Sequence, residues 1–316
     1  MCIRDRFNKW RRKAKSQLKK LGTGSHPKDL IATLAEDLLE TFAGAPLIDP
    51  YDIYQHLMDY WDQTMQDDCY MITGDGWTES ARPRVVIEDK NNKTKEKPDI
   101  QQGRQKLRTE LIPPAFLVAR YFRAEQNRIE NLEGSIATLT QQMEEIAEEH
   151  GGEDGLISAA LNDKGKLTNA SAAARLKDIQ RDPDAADERK LLGQWRALAQ
   201  QEATETAQLK TMQDALTAQL LAKYPQPKEG AERLIHDKPA TRLTEQEIIE
   251  VVVEDKWLAA VAAAVQGELD RVSQTLTGRV RQLAERYADP LPQISAEVKT
   301  LATNVEKHLK KMGAAV

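Results

Sequence analysis

The sequence predicts a mainly α-helical protein. Its parts are a long antiparallel coiled-coil hairpin, a carboxy-terminal helical pair, and a small β-hairpin-containing subdomain near the amino terminus. Three observations carry this reading. Two long segments repeat apolar residues at alternating spacings of three and four, the mark of a helical seam. Aromatic residues make up only 5% against 30% charged, with a mean hydropathy of -0.61, which suits solvated helices better than one thick core. Short β-prone runs flank Gly74-Asp75-Gly76.

The amphipathic elements begin at 28–42, where Leu30, Leu34, Leu38 and Phe42 recur at every fourth position beside Ile31, Ala35 and Leu39. Ser25 is the expected cap, with Pro27 in the first turn, and Gly44 and Pro46 stop the helix. A second helix is expected from about Asp52 to Met65, with Ile53, Leu57, Tyr60, Trp61 and Thr64 on one face, Asp49 as cap and Pro50 at the first position. Cys69–Thr73 and Arg84–Ile87 read as the strands of a hairpin, and the polar, basic stretch 88–110 reads as a flexible loop.

The first seam runs through Ala115, Val118, Phe122, Glu125, Ile129, Leu132, Ile136, Leu139, Met143 and Ile146, and ends at His150-Gly151-Gly152. A short helix is expected near Ser171–Gln180, closed by Asp182-Pro183. The second seam follows: Leu191, Trp195, Leu198, Glu202, Glu205, Leu209, Met212 and Leu216. Two such helices joined by a compact tip form an antiparallel arm of roughly 50 Å, each covering the other's stripe.

A Pro-rich, charged linker starts at Tyr224. Thr244 and Glu247 have the spacing of a capping box, in which hydroxyl and carboxylate each satisfy an amide of the first turn. The helix behind it runs to about Tyr287 with the stripe Leu258, Val261, Val265, Leu269, Val272, Leu276, Val280 and Leu283. Gly267 and Gly278 interrupt it, as if to admit another backbone. After Asp289-Pro290, a last helix carries Val298, Leu301, Val305, Leu309 and Met312, and the two are expected to form a second hairpin.

Composition restricts the chemistry. Two cysteines, Cys2 and Cys69, exclude a disulfide framework and a Cys-rich zinc site, and no apolar run approaches a membrane span. Without a signal-peptide pattern at Met1–Lys20, the expected setting is cytoplasmic. The net charge of -5 is uneven: Met1–Lys28 holds ten Lys/Arg and one Asp, a basic run that can attract phosphate or simply stay solvated. The first six residues, MCIRDR, read as a translated sequencing-adaptor scar.

No catalytic constellation stands out. Gly22-Thr-Gly24-Ser25 lacks a preceding strand and a third glycine. Ile112-Pro113-Pro114-Ala115-Phe116 misses the Asn, and the ring next to the prolines, that an amino-methyltransferase motif needs, so it reads as a turn that opens a helix. His26, His56, His150, His236 and His308 are scattered without metal-ligand spacing. Asp67-Asp68 reads as an acidic pair at a helix end before it reads as a cation site or a base, and Trp61, Tyr70 and Trp77 read as local core around the hairpin.

Several blocks nevertheless resemble one family. Ile48-Asp-Pro-Tyr-Asp-Ile-Tyr-Gln-His-Leu-Met-Asp-Tyr-Trp61, Thr64 to Tyr70, and Asp75-Gly-Trp77 resemble the carboxy-terminal part of the modification (M) subunit of type I restriction–modification systems. Leu111-Ile-Pro-Pro with Val118-Ala-Arg-Tyr-Phe122, Glu149-His-Gly-Gly-Glu153, Asp255-Lys-Trp257-Leu258, Ala264-Val-Gln-Gly-Glu268, Thr277-Gly-Arg279 and Leu283-Ala-Glu-Arg-Tyr287 agree with it. The resemblance implies adenine N6 methylation of DNA with S-adenosylmethionine in the full-length subunit. It also implies assembly with a specificity subunit, a second M subunit and a restriction subunit, and contact with DNA through the complex. The family's glycine and Asn-Pro-Pro-aromatic motifs are absent from this sequence, so no catalytic, cofactor or metal residue carries over, and this part alone is expected to be inactive.

The expected organisation is a disordered basic start at 1–25, a helical and β-hairpin subdomain at 26–110, and a coiled-coil arm at 111–223, followed by a linker at 224–243 and a partner-docking region at 244–316. Leu258, Val261, Val265, Leu269, Val272 and Leu276 are the expected anchors on a helix of the specificity subunit. The rival readings are a stand-alone coiled-coil scaffold without enzymatic activity, and an independent enzyme built on Asp67 and Asp68.

Overall fold

Two compact units make up the chain: Met1–Thr73 with Val253–Val316, and Gly74–Val252. The computed structural model describes residues 3–86, 96–103, 105–225, 241–288 and 291–313. The fold is mainly helical (76%), with long helices and one small three-stranded antiparallel sheet.

The first unit opens with α1 (Ile3–Leu18), where a disordered start was expected. The charge run hides an apolar stripe: Phe7, Trp10, Ala14 and Leu18 recur at helical spacing and are all buried. The Trp10 indole N–H donates to the Leu34 carbonyl at 3.0 Å, and Arg6 donates to the carbonyls of Thr41 and Ala43. Burying that stripe makes the segment an integral helix rather than a solvated arm.

α1 packs on α2 (Pro27–Phe42), which buries Ile31, Leu34, Ala35, Leu38 and Phe42 as its periodicity predicts. The cap position is His26, one residue beyond the expected Ser25; the Ser25 hydroxyl instead accepts from the Gly22 amide and closes the preceding turn. α3 (Pro50–Tyr60) starts as expected, with Asp49 accepting from the Tyr51 amide.

After α3 the backbone widens into a π-helical turn at Trp61–Met65 and continues as α4 (Gln66–Asp75). The predicted strand at Cys69–Thr73 is therefore helical. Its β-prone composition yields to a strict four-residue repeat, since Ile53, Leu57, Trp61, Met65 and Cys69 are all buried. Steps of four overshoot an α-helical turn by about 40° each, and the extra residue of a π turn returns the stripe to one face.

The second unit holds α5 (Trp77–Ser80) and the sheet, in the order β1 (Arg84–Val85), β3 (Gln105–Arg108), β2 (Ile100–Gln102). Arg84 pairs with Arg108, and Ile100 and Val85 flank Leu107. The β-prone run at Arg84 thus finds its partner in the stretch expected to be a loop. Only Ile100 and Leu107 are apolar there, too few to show alternation; residues 87–95, the rest of that stretch, lie outside the described residues. Asp99 accepts from both the amide and the hydroxyl of Thr109 and fixes the end of the sheet.

α6 (Pro114–Tyr121) and α7 (Arg123–His150) are separated by a kink at Phe122, so the first seam begins at Phe122 and Ala115 is exposed. α7 packs along α9 (Ala186–Lys223). Gln213 donates to Glu133, and Glu205, held below its usual pKa by the Ser135 hydroxyl and Gln201, sits farther towards the tip, which makes the pair antiparallel. Every residue of the predicted second seam is buried or half-buried.

The tip is a small core of Ile157, Ala160, Ala172, Ile179, Leu192 and Trp195, with α8 (Asn169–Asp178) capped by Thr168 and clamped by the two-pronged Arg175–Glu188 pair at 2.7 and 3.0 Å. Gly155 permits the close turn here, since a Cβ would lie 2.1 Å from the His150 carbonyl oxygen. At the base, the fully buried Tyr224 donates to the Ile112 carbonyl at 2.7 Å. Most of the expected linker, 226–240, lies outside the described residues.

The capping box at Thr244 and Glu247 forms and opens α10 (Glu245–Glu250). A second π-helical segment, Val251–Leu258, leads into α11 (Ala259–Arg286). α12 (Leu291–Lys311) follows, and Gly313 beyond it adopts φ +81°, the left-handed conformation that ends a helix.

Inside the first unit, the second π segment delivers two consecutive side chains to one carboxylate. Asp68 accepts from Lys256 Nζ at 2.6 Å and from the Trp257 indole at 2.8 Å, and all three residues are buried. The Tyr60 hydroxyl donates to the Lys256 carbonyl, joining the end of α3 to the second π segment. Burial pushes the Asp68 carboxyl up, against the pull of the Lys256 ammonium and the Trp257 N–H. Burial and the Asp68 charge also push up the Cys69 thiol and the Tyr60 phenol, so both remain protonated packing groups. Nearby, Glu254 bridges Arg11, at 2.9 Å, and Lys15 of α1. Burial raises its carboxyl, but the two cations outweigh that and hold it low.

Two expectations follow. Asp68→Asn takes from the buried Lys256 ammonium the carboxylate charge at 2.6 Å and lowers unfolding stability by about 3–5 kcal/mol in urea titrations, whereas adding Lys256→Met restores more than half of the loss. Glu254→Gln destabilises the protein at neutral pH. Because the folded pKa is depressed, that difference is fully present above about pH 4.3, the unfolded value, and vanishes as pH falls through the folded value, as melting curves across pH will register.

Candidate partner-docking surface

α11 changes character along its length. Val261 and Val265, with Leu258 just before the helix, are at most 3% exposed and lie where α11 packs on α3. The transition falls at Glu268, buried yet charged, which takes two hydrogen bonds from Arg271 at 2.8 and 2.5 Å. His56 Nε2 stands 3.8 Å from the same carboxylate, and Arg271 reaches Asp52 at 3.7 Å. The Arg271 hydrogen bonds, then its charge and His56, hold the Glu268 carboxyl below its usual value.

Beyond this clamp the stripe continues without cover. Leu269 and Val272 are half-buried, and Leu276, Val280, Leu283 and Tyr287 are exposed. α12 extends the pattern: Leu291, Ile294, Val298, Leu301, Val305, Leu309 and Met312 follow spacings of three and four, and all are exposed. No residue of α12 is buried. Nine of the fifteen exposed large hydrophobics among the described residues therefore lie on these two helices, and Tyr287 and Met312 directly follow them, far more than scattered surface leucines require.

Three of the six expected anchors are thus corrected. Leu258, Val261 and Val265 close the unit's own core, because α11 lays this part of its stripe against α3. Leu269 and Val272 sit at the margin, and Leu276 alone is fully available. The expected hairpin of the last two helices is not formed by burial either, since both stripes face solvent. Gly267 and Gly278 admit no neighbouring backbone: a Cβ at either meets nothing within 4 Å.

The other motifs resolve into structure. Asp67 is exposed, while Asp68 is committed to Lys256 and Trp257. Trp61 and Trp77 are buried, whereas Tyr70 is 44% exposed. Pro113 and Pro114 open α6, as read from the sequence. Among the described residues no three His, Cys, Asp or Glu side chains gather as metal ligands, and no helix is long and apolar enough to cross a membrane.

The described residues also do not fit S-adenosylmethionine. Gly22–Ser25 joins two helices rather than a strand and a helix, and the one sheet is antiparallel, with no glycine turn leading from a strand into a helix. The Lys256–Trp257 partnership escaped sequence reasoning. Asp68 was visible as an acidic residue, but the partner lies 188–189 positions away on a segment whose π geometry has no sequence signature.

Val298→Asp, Leu301→Asp and Val305→Asp together are expected to leave the unfolding midpoint within about 0.5 kcal/mol of the parent, as surface changes do. Val261→Asp buries an unpaired charge and is expected to abolish cooperative unfolding of the first unit. Circular dichroism during urea titration separates the two.

No family model, curated protein or solved structure matches this chain.

Proposed function

We propose that this chain is the carboxy-terminal portion of a type I restriction–modification M subunit and acts in assembly. The observation that carries the proposal is the uncovered apolar seam of distal α11 and α12. A seam with spacings of three and four is complementary to another amphipathic helix, and leaving it in water costs about 25 cal/mol for each Å² of apolar surface. The resemblance of the blocks around Ile48–Trp61 and Asp255–Leu258 supports a helix of the specificity subunit as the partner. The second M subunit, the restriction subunit and DNA then join through the complex in the cytoplasm.

In this reading methyl transfer from S-adenosylmethionine to the exocyclic nitrogen of adenine belongs to the full-length subunit. No residue of this chain is assigned to that step. The stand-alone scaffold is the second reading, favoured by the α7–α9 arm, whose seam is closed within the chain and needs no partner.

The test is co-expression with a type I specificity subunit followed by affinity capture. Capture by the parent chain, weakened about tenfold or more by Val298→Asp, Leu301→Asp and Val305→Asp at unchanged helicity, supports docking. Self-association through the same residues without capture supports the scaffold. Methyl transfer to duplex DNA by this chain alone contradicts the assignment of chemistry to the full-length subunit.

A further inference from the structure

We infer that the solvent face of α1 binds the phosphate backbone of a nucleic-acid duplex. This stands apart from the apolar docking surface. The helix spans 16 residues, about 24 Å, and its apolar stripe is spent inside the unit. Seven of the twelve α1 positions left outside are basic, against one acid, Asp5. Seven cations lie between Lys9 and Lys20. Lys9, Arg12, Lys13 and Lys20 are exposed, and Arg11 and Lys15 are half-buried.

The local carboxylates answer only part of this charge. Glu254 engages Arg11 and Lys15, and Asp37 lies 3.5 Å from Lys13. Asn8, Arg11, Arg12, Lys15 and Glu254 together line a concavity on this face. Lys9 and Arg12 form no ion pair among the described residues; Arg12 Nε donates only to the Asn8 carbonyl. Cations fixed along a straight rod, with folding already complete, release counterions from a polyphosphate without an ordering cost.

The same face discriminates between polyanions. A single strand is held by stacking its bases on aromatic rings, but Phe7 and Trp10 are buried. An anionic membrane is held by a basic helix that inserts its apolar side, and here that side is the protein core. Phosphates of a duplex need neither.

The experiment uses the full chain and a labelled DNA duplex of arbitrary sequence, read by fluorescence anisotropy from about 50 to about 200 mM salt. Binding is expected to weaken steeply with salt. Lys9→Glu with Arg12→Glu is expected to lower affinity about tenfold or more and to reduce the log–log salt slope by about 2, at an unchanged melting curve. Lys9→Arg with Arg12→Lys retains binding. The same charge change on α12, Lys299→Glu with Lys307→Glu, leaves it unaltered, which separates a local surface from net charge. The inference is overturned by any of these results: no duplex binding by the parent chain at low salt, equal loss from the α12 pair, an unchanged slope in the α1 pair, or preference for phosphatidylserine vesicles or single strands over the duplex.

Discussion

A carboxylate and an ammonium meeting at 2.6 Å out of reach of water are the constraint on which the first unit depends. Asp68 comes from the amino-terminal helices and Lys256 from the far end of the chain, so their pairing joins segments that nothing local would bring together. Taking two charges out of water is costly, and their attraction offsets that only when the remaining hydrogen-bonding capacity is met. The Trp257 indole adds a second donor to the same Asp68 oxygen, Oδ2. Such a pair adds little net stability over an apolar one, but it penalises every register in which one partner is buried alone. The two π segments, Trp61–Met65 and Val251–Leu258, shift the helical phase so that the required side chains arrive.

The second unit solves its packing differently. Its two seams cover each other along α7 and α9, and polar members such as Glu205 are accommodated by Ser135 and Gln201 because a two-helix seam leaves its flanks wet. The contrast with α11 and α12 is physical rather than compositional. Both sets of helices carry similar stripes, yet one finds its complement within the chain and the other does not.

Much of the helical fold was legible: the stripe of α2, the second seam and the first seam from Phe122 onward stand where apolar spacing put them, and the Asp49 and Thr244 caps where their residue types put them. The failures have specific causes. Charge counts masked the Phe7–Leu18 stripe of α1, β-propensity at Cys69–Thr73 lost to tertiary burial, and the short strand at Gln105–Arg108 had too few apolar residues to alternate. Of the docking surface, the sequence displayed a continuous stripe from Leu258 to Leu276 but no mark of where burial ends. That point is set by the length of α3, against which α11 rests, and by the Glu268–Arg271 clamp.

The bare α12 carries a thermodynamic consequence. A helix of 21 residues, none of them buried among the described residues, holds together by intrinsic propensity and a few local pairs, and such a segment is only marginally formed in water. A partner of the proposed kind, seating on its leucines and valines, would therefore also complete its winding. Recognition and local ordering would then be one event, and the grip would be tuned by alanine and glycine at outward positions that never touch the partner.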